Sequence, residues 1–123
     1  MDTIADISFD EITLADLAKM PPEVVDGLPF GVIGLDRDGI SVVYNATEAR
    51  LAGLVPSRVL GVPFFDTIAQ CMNNFMVAQR FEDIEELDEI VPFVLTLRMR
   101  PTPVRLRLLQ SRSAPYRFVL IQR

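Results

Sequence analysis

Phe30-Gly31-Val32-Ile33-Gly34-Leu35-Asp36, then Arg37-Asp38-Gly39, then Ile40-Ser41-Val42-Val43-Tyr44: two short apolar runs joined by a turn sequence decide how this chain is read. An Asp-Gly pair between runs of this length is a strong hairpin signal, because glycine enters the left-handed backbone of the turn without a steric penalty. The spacing therefore predicts strands over 30–36 and 40–44. Asn45-Ala46-Thr47-Glu48 follows directly, in the Asn-x-x-Glu order of a capping box. It predicts a helix to Ala52, stopped by Gly53.

Downstream, Pro56 to Leu60 reads as a helical turn, and Gly61 and Pro63 lead into Phe64-Phe65-Asp66-Thr67-Ile68-Ala69-Gln70-Cys71. Residues Asn74 to Leu87 read as the longest helix, with Val77, Phe81 and Ile84 inward and the acidic run Glu82 to Glu89 mostly outward. Phe93, Leu95, Leu97 and Met99 then alternate with Val94, Thr96, Arg98 and Arg100, which is strand periodicity. Pro101-Thr102-Pro103 makes a stiff turn. Val104, Leu106 and Leu108 alternate with Arg105 and Arg107, and Tyr116 to Ile121 supplies a last strand. Upstream, a short helix capped by Asp10 carries Leu14, Leu17 and Ala18 on one side, and Pro22 opens a second that ends near Gly27.

This order predicts an α+β fold: a five-stranded antiparallel sheet with helices covering one face around a pocket, and a short N-terminal helical cap. The arginine-bearing strands would turn their charges to the other face. It is the order of PAS-type sensor domains. At 123 residues a single compact domain is expected, with 1–27 as the cap and 28–123 as the body.

Composition removes several functions. With no histidine, the usual general base and the commonest zinc or haem ligand are missing. A net charge of -5 argues against a general nucleic-acid binder. No apolar run is long enough to cross a bilayer, so no membrane insertion is expected. One cysteine forms no internal disulfide, and no stretch has the order of a signal peptide, which together point to the cytoplasm.

Two groups of residues carry chemistry. Cys71 lies among Phe64, Phe65, Ile68, Ala69 and Met72, and on these neighbours alone it is an inert core residue in the hydrophobic interior. Tyr44, Glu48 and Ala52 are spaced by four, so Tyr44 and Glu48 can donate to one ligand from a strand-helix junction. Equally, Glu48 is the capping glutamate and Tyr44 an ordinary strand aromatic. Phe64, Phe65, Phe75 and Met99 read as packing.

Gly27-Leu28-Pro29-Phe30-Gly31, Leu35-Asp36-Arg37-Asp38-Gly39, Tyr44-Asn45-Ala46-Thr47-Glu48, Gly61 to Cys71 and Met99-Arg100-Pro101-Thr102 together resemble the photoactive yellow protein family, blue-light receptors built on a PAS domain. The resemblance implies a non-enzymatic receptor carrying 4-hydroxycinnamic (p-coumaric) acid as a thioester on Cys71. Tyr44 and Glu48 would donate hydrogen bonds to its phenolate, and Ala52, Leu54, Phe64 and Met99 would line the pocket. It further implies that light isomerises the double bond, that Glu48 then gives up its proton, and that residues 1–27 are released towards a downstream signalling protein. Three positions depart from the family: Ala52 replaces a threonine, Leu54 an arginine and Gln70 a proline. Arg100, out of phase with Met99, should face away from the pocket. The alternative is a PAS-like ligand-binding or interaction module without a chromophore, whose arginine face docks a partner or, as a homodimer, the acidic helix of a second copy.

Overall fold

The computed structural model describes residues 7–96 and 100–123. Asp36 shapes the first turn: its Oδ1 accepts hydrogen bonds from the backbone N–H of Asp38 and of Ile40, both at 2.9 Å. Gly39, with φ at 82°, supplies the left-handed step that an L side chain rarely adopts. The hairpin forms as expected but is shorter, with β1 at Gly31–Leu35 and β2 at Ser41–Tyr44. Ile40 leaves the ladder to bridge Pro63.

Strands β3 (Leu87–Leu95), β4 (Thr102–Gln110) and β5 (Arg117–Gln122) complete one antiparallel sheet in the order β2-β1-β5-β4-β3. Every residue of β1 is buried, because both faces of the sheet are covered. On one side Ile33, Tyr44, Leu106, Leu108, Val119 and Ile121 pack under α3 (Ala46–Ala52), α4 (Pro56–Val59), a π-turn at Phe64–Ile68 and α5 (Ala78–Asp83). On the other, Val32, Leu109, Phe118 and Leu120 pack against Phe9, Ile12, Leu17, Val25 and Leu28 of the N-terminal segment. That segment carries α1 (Leu14–Lys19) and α2 (Pro22–Asp26). The alternation along β5, Phe118 and Leu120 against Val119 and Ile121, sends successive residues to different cores.

Several expectations change. Helix α1 is capped by Thr13, in a full box with Asp16, rather than by Asp10. Asp10 instead pairs with Arg105 at 3.0 Å. The long helix over 74–87 is reduced to α5. Asn74 Oδ1 accepts from the N–H of Met76 and Val77, which holds the preceding residues in a turn, and Ile84 is already extended. The acidic run is accordingly no solvated helix face. Glu86 accepts from Ser111 Oγ and Arg112 N, Glu85 pairs with Arg112, Asp88 with Arg107, and Glu89 with Arg80.

Strand β3 begins at Leu87, ahead of the expected 93, and tolerates Pro92 because it is an edge strand. Its phase is as read, with Leu87 and Leu95 inward, while Leu97, Arg98 and Met99 lie outside the described residues. Pro103 sits in β4 opposite Val94, beyond the stretch that pairs with β5.

The N-terminal segment packs against the arginine face, burying Arg107 and leaving Arg105 exposed at its edge. Arg105 lies 5.3 Å from the centroid of the Phe9 ring. Arg107 is buried and donates to the carbonyls of Phe9, at 3.0 Å, and Ile12. Phe75, read as packing, is 78% exposed. Among the described residues no helix is long and apolar enough to cross a membrane.

Candidate functional site

The junction of β2 and α3 is fastened by Asn45, whose buried amide satisfies four backbone groups. Its Oδ1 accepts from Val32 N and Glu48 N, at 2.9 and 3.0 Å. Its Nδ2 donates to the carbonyls of Val25 and Phe30, at 2.9 and 3.1 Å. Ala46 N donates to Asp26 Oδ1 at 2.8 Å and Thr47 Oγ1 to the Leu28 carbonyl. The first turn of α3 is thus tied directly to the N-terminal segment.

Only half of the expected capping box forms. The Asn45 side chain caps the helix, but the Glu48 carboxylate turns over β1 to Arg123. Arg123 Nη1 donates to Oε1 at 2.7 Å and Nη2 to Oε2 at 3.2 Å. The Glu48 side chain is 1% exposed and that of Arg123 20%. Gly31 makes room for this: a Cβ there would collide with Glu48 Oε1. Arg123 had no local signal in the sequence. Pairing of Gly31 with Ile121 carries the chain end of β5 across to a residue 75 positions away.

Tyr44 is buried opposite Ile33 and shares a core with Val59, Phe64, Ala69 and Met72. Burial pushes its hydroxyl well above the ordinary tyrosine range, the negative Glu48 adds to this, and Arg123 opposes it. The phenol therefore stays a donor throughout physiological pH. Because its pKa is higher folded than unfolded, its contribution to stability is complete below the unfolded value of about 10 and is lost as pH rises beyond it. A Tyr44→Phe variant should show a shallower fall in melting temperature above about pH 10 than the parent; equal slopes would contradict this assignment.

Cys71 occupies the middle of a 3-10 turn, Gln70–Met72, and is half-buried rather than interior. A turn of three residues per revolution cannot aim neighbours the same way, and the flanking Ala69 and Met72 take the interior places. The cysteine still packs against the core that holds Tyr44 and Phe64. Gln70 Nε2 donates to the Asp66 carbonyl and Asn74 Nδ2 to that of Cys71, which fixes the turn on both sides.

Of the other expected lining residues, Phe64 is buried and edge-on to Phe65, with ring centroids 5.5 Å apart. Leu54 packs against the same core, and Ala52 is buried at the end of α3. Met99 lies outside the described residues. Arg100 is exposed and lies between the end of β3 and the start of β4. Among the described residues no cluster of acidic or cysteine side chains is arranged to hold a metal.

A five-stranded antiparallel sheet of this order, with a helical crossover closing over a buried tyrosine and glutamate, defines a PAS domain, and the PAS fold family model matches residues 19–122. Within that class the chain belongs to the photoactive yellow protein family. It is 30% identical over 110 residues to the photoactive yellow protein of Rhodothalassium salexigens, covering 87% of this chain and 88% of that one. To the protein of that name from Halochromatium salexigens it is 32% identical over 95 residues, 75% and 76% of the two chains. Among solved structures it is similar to the photoactive yellow protein domain from the sensor histidine kinase Ppr of Rhodospirillum centenum. That match has 31% identity and a TM-score of 0.81, and covers 89% of this chain and 98% of that domain.

Proposed function

We propose that this chain is a blue-light receptor that carries a 4-hydroxycinnamoyl group as a thioester on Cys71, with Tyr44 and Glu48 at the phenolic end. The observation that carries this reading is that Cys71, Phe64 and Tyr44 pack on one core, with the buried Glu48 acting on Tyr44. The half-buried thiol is open to an activated acyl donor while its surroundings are apolar. The bound group supplies light absorption and a double bond that isomerises.

The chain's residues do the rest. Tyr44 donates its phenolic proton in a hydrogen bond. Phe64, Val59 and Met72 keep water out. Glu48 exchanges a proton at its carboxyl with the phenolic end. A change of charge at Glu48 disturbs the first turn of α3, whose Asn45, Ala46 and Thr47 hold Val25, Asp26 and Leu28. Residues 1–27 then serve as the releasable cap on a body of 28–123. A soluble cytoplasmic signalling protein would read the release, as a kinase is joined to the similar domain of Ppr.

Reconstitution with activated p-coumaric acid should add one acyl group to the intact mass and a light-sensitive absorption band, both missing in Cys71→Ser. A protein that stays colourless and unmodified would remove the reading.

The second reading, a ligand-binding module without a chromophore, has one observation in its favour. An apolar groove of about 490 Å³ lies between the N-terminal helices and β2, lined in part by Leu14, Leu17, Val25, Val43, Leu60 and Tyr116. Under that reading an apolar probe binds there equally well in the parent and in Cys71→Ser.

A further inference from the structure

We propose that the groove between the hairpin turn at 37–39 and α5 binds a small zwitterion of the α-amino acid class, its carboxylate on Arg117, its ammonium on Glu82 and its apolar side chain against Phe65 and Phe75. The groove does not include Tyr44, Glu48 or Cys71, and the inference does not depend on the receptor reading.

The groove encloses about 360 Å³, a volume suited to a small ligand. Arg117 opens β5 opposite Leu35, and its guanidinium lies 5.5 Å from the centroid of the Phe81 ring on α5. That guanidinium donates to no oxygen among the described residues. An arginine is seldom withdrawn from water without a partner, because it carries five donors that water otherwise satisfies. Burial lowers the pKa of Arg117, and Glu82 opposes that fall while Arg37 adds to it, yet an arginine keeps its charge at neutral pH. The other cation of the groove is already committed: Arg37 Nη2 donates to the carbonyls of Ser111, Arg112 and Ala114. Arg117 is therefore placed to receive a carboxylate through the paired hydrogen bonds that suit a planar guanidinium.

The rest of the lining selects the ligand. Asp38, Asp66 and Glu82 oppose the two arginines, so a simple anion meets repulsion that a ligand carrying both signs does not. Asp66 accepts from the Asn73 amide at 3.0 Å. Glu82 is exposed and acts on Arg117 by charge alone, which leaves its oxygens open to an ammonium close to the bound carboxylate. An α-amino acid carries its two charges at that short separation. Phe65 is half-buried and Phe75 is 78% exposed, and the two rings offer aromatic surface to an apolar side chain.

Amide shifts in ¹⁵N-labelled protein titrated with L-phenylalanine at neutral pH test the site. They should cluster at 37–39, 73–79 and 117. Phenylacetate lacks the ammonium and phenethylamine the carboxylate, and each should bind about ten-fold more weakly, as expected when one charge-assisted pair is lost. Arg117→Gln should weaken L-phenylalanine by a similar factor. Exposed Glu82 provides a second variant that leaves the core untouched: Glu82→Gln should weaken L-phenylalanine but not phenylacetate. No shifts at millimolar L-phenylalanine, shifts confined to other surfaces, or equal binding in Arg117→Gln would overturn the proposal. Phenylacetate binding as tightly as L-phenylalanine, or no effect of Glu82→Gln, would overturn the assignment of a zwitterion.

Discussion

Asn45→Ala should be the most damaging single substitution at the site, lowering stability by about 4 kcal/mol or more. The substitution leaves the N–H of Val32 and Glu48 and the carbonyls of Val25 and Phe30 without the amide that now satisfies them. Asn45 is 1% exposed, so water does not take its place without opening the junction. Each buried backbone group left without a partner costs about 1–3 kcal/mol, and loss of a helix cap adds about 1 kcal/mol. Against a total of about 5–15 kcal/mol this is a large fraction. Urea unfolding should show a lower midpoint at an unchanged slope. A loss below about 1 kcal/mol would show that the junction relaxes to satisfy these groups by itself.

Arg107→Met should loosen the N-terminal segment without unravelling the sheet. Arg107 is 5% exposed, and from β4 it donates to the carbonyls of Phe9 and Ile12. Removing those bonds costs about 3 kcal/mol, or about 100-fold in the opening equilibrium of the segment. The lost pair with Asp88 adds little, because that carboxylate is 60% exposed. Amide exchange should quicken across 9–17 and stay slow in β5. Uniform acceleration through the sheet would mean that the segment is part of the global folding unit. If release of this segment is the signal, the same variant should signal in the dark.

The arginine row of β4 and the acidic run after α5 show where pattern reading succeeds and where it fails. Alternation along β4 put Arg105 and Arg107 together on one face, and they are there. It could not show that residues 9–12 return across nearly the whole chain length to meet them, Phe9 and Asp10 at Arg105 and the Phe9 and Ile12 carbonyls at Arg107. The acidic run failed for a related reason. Helical spacing of Val77, Phe81 and Ile84 is real, but Glu85 and Glu86 find better partners in the turn between β4 and β5 than a further helical turn offers.

Local chemistry alone determined the hairpin about Asp36 and Gly39, the Asn45 cap, the stop at Gly53 and the inward phase of two strands, because each depends on contacts within a few residues. The neighbourhood of Tyr44 and Glu48 was legible for the same reason. Only the tertiary structure decided what Glu48 does. Its partner is set by the register of β5 on β1, and a register is a sum of many weak pairings along two strands rather than a property of any short segment. The half-buried setting of Cys71 likewise comes from the way Ala69 and Met72 fill the core around it, a competition for volume that no spacing of residues records.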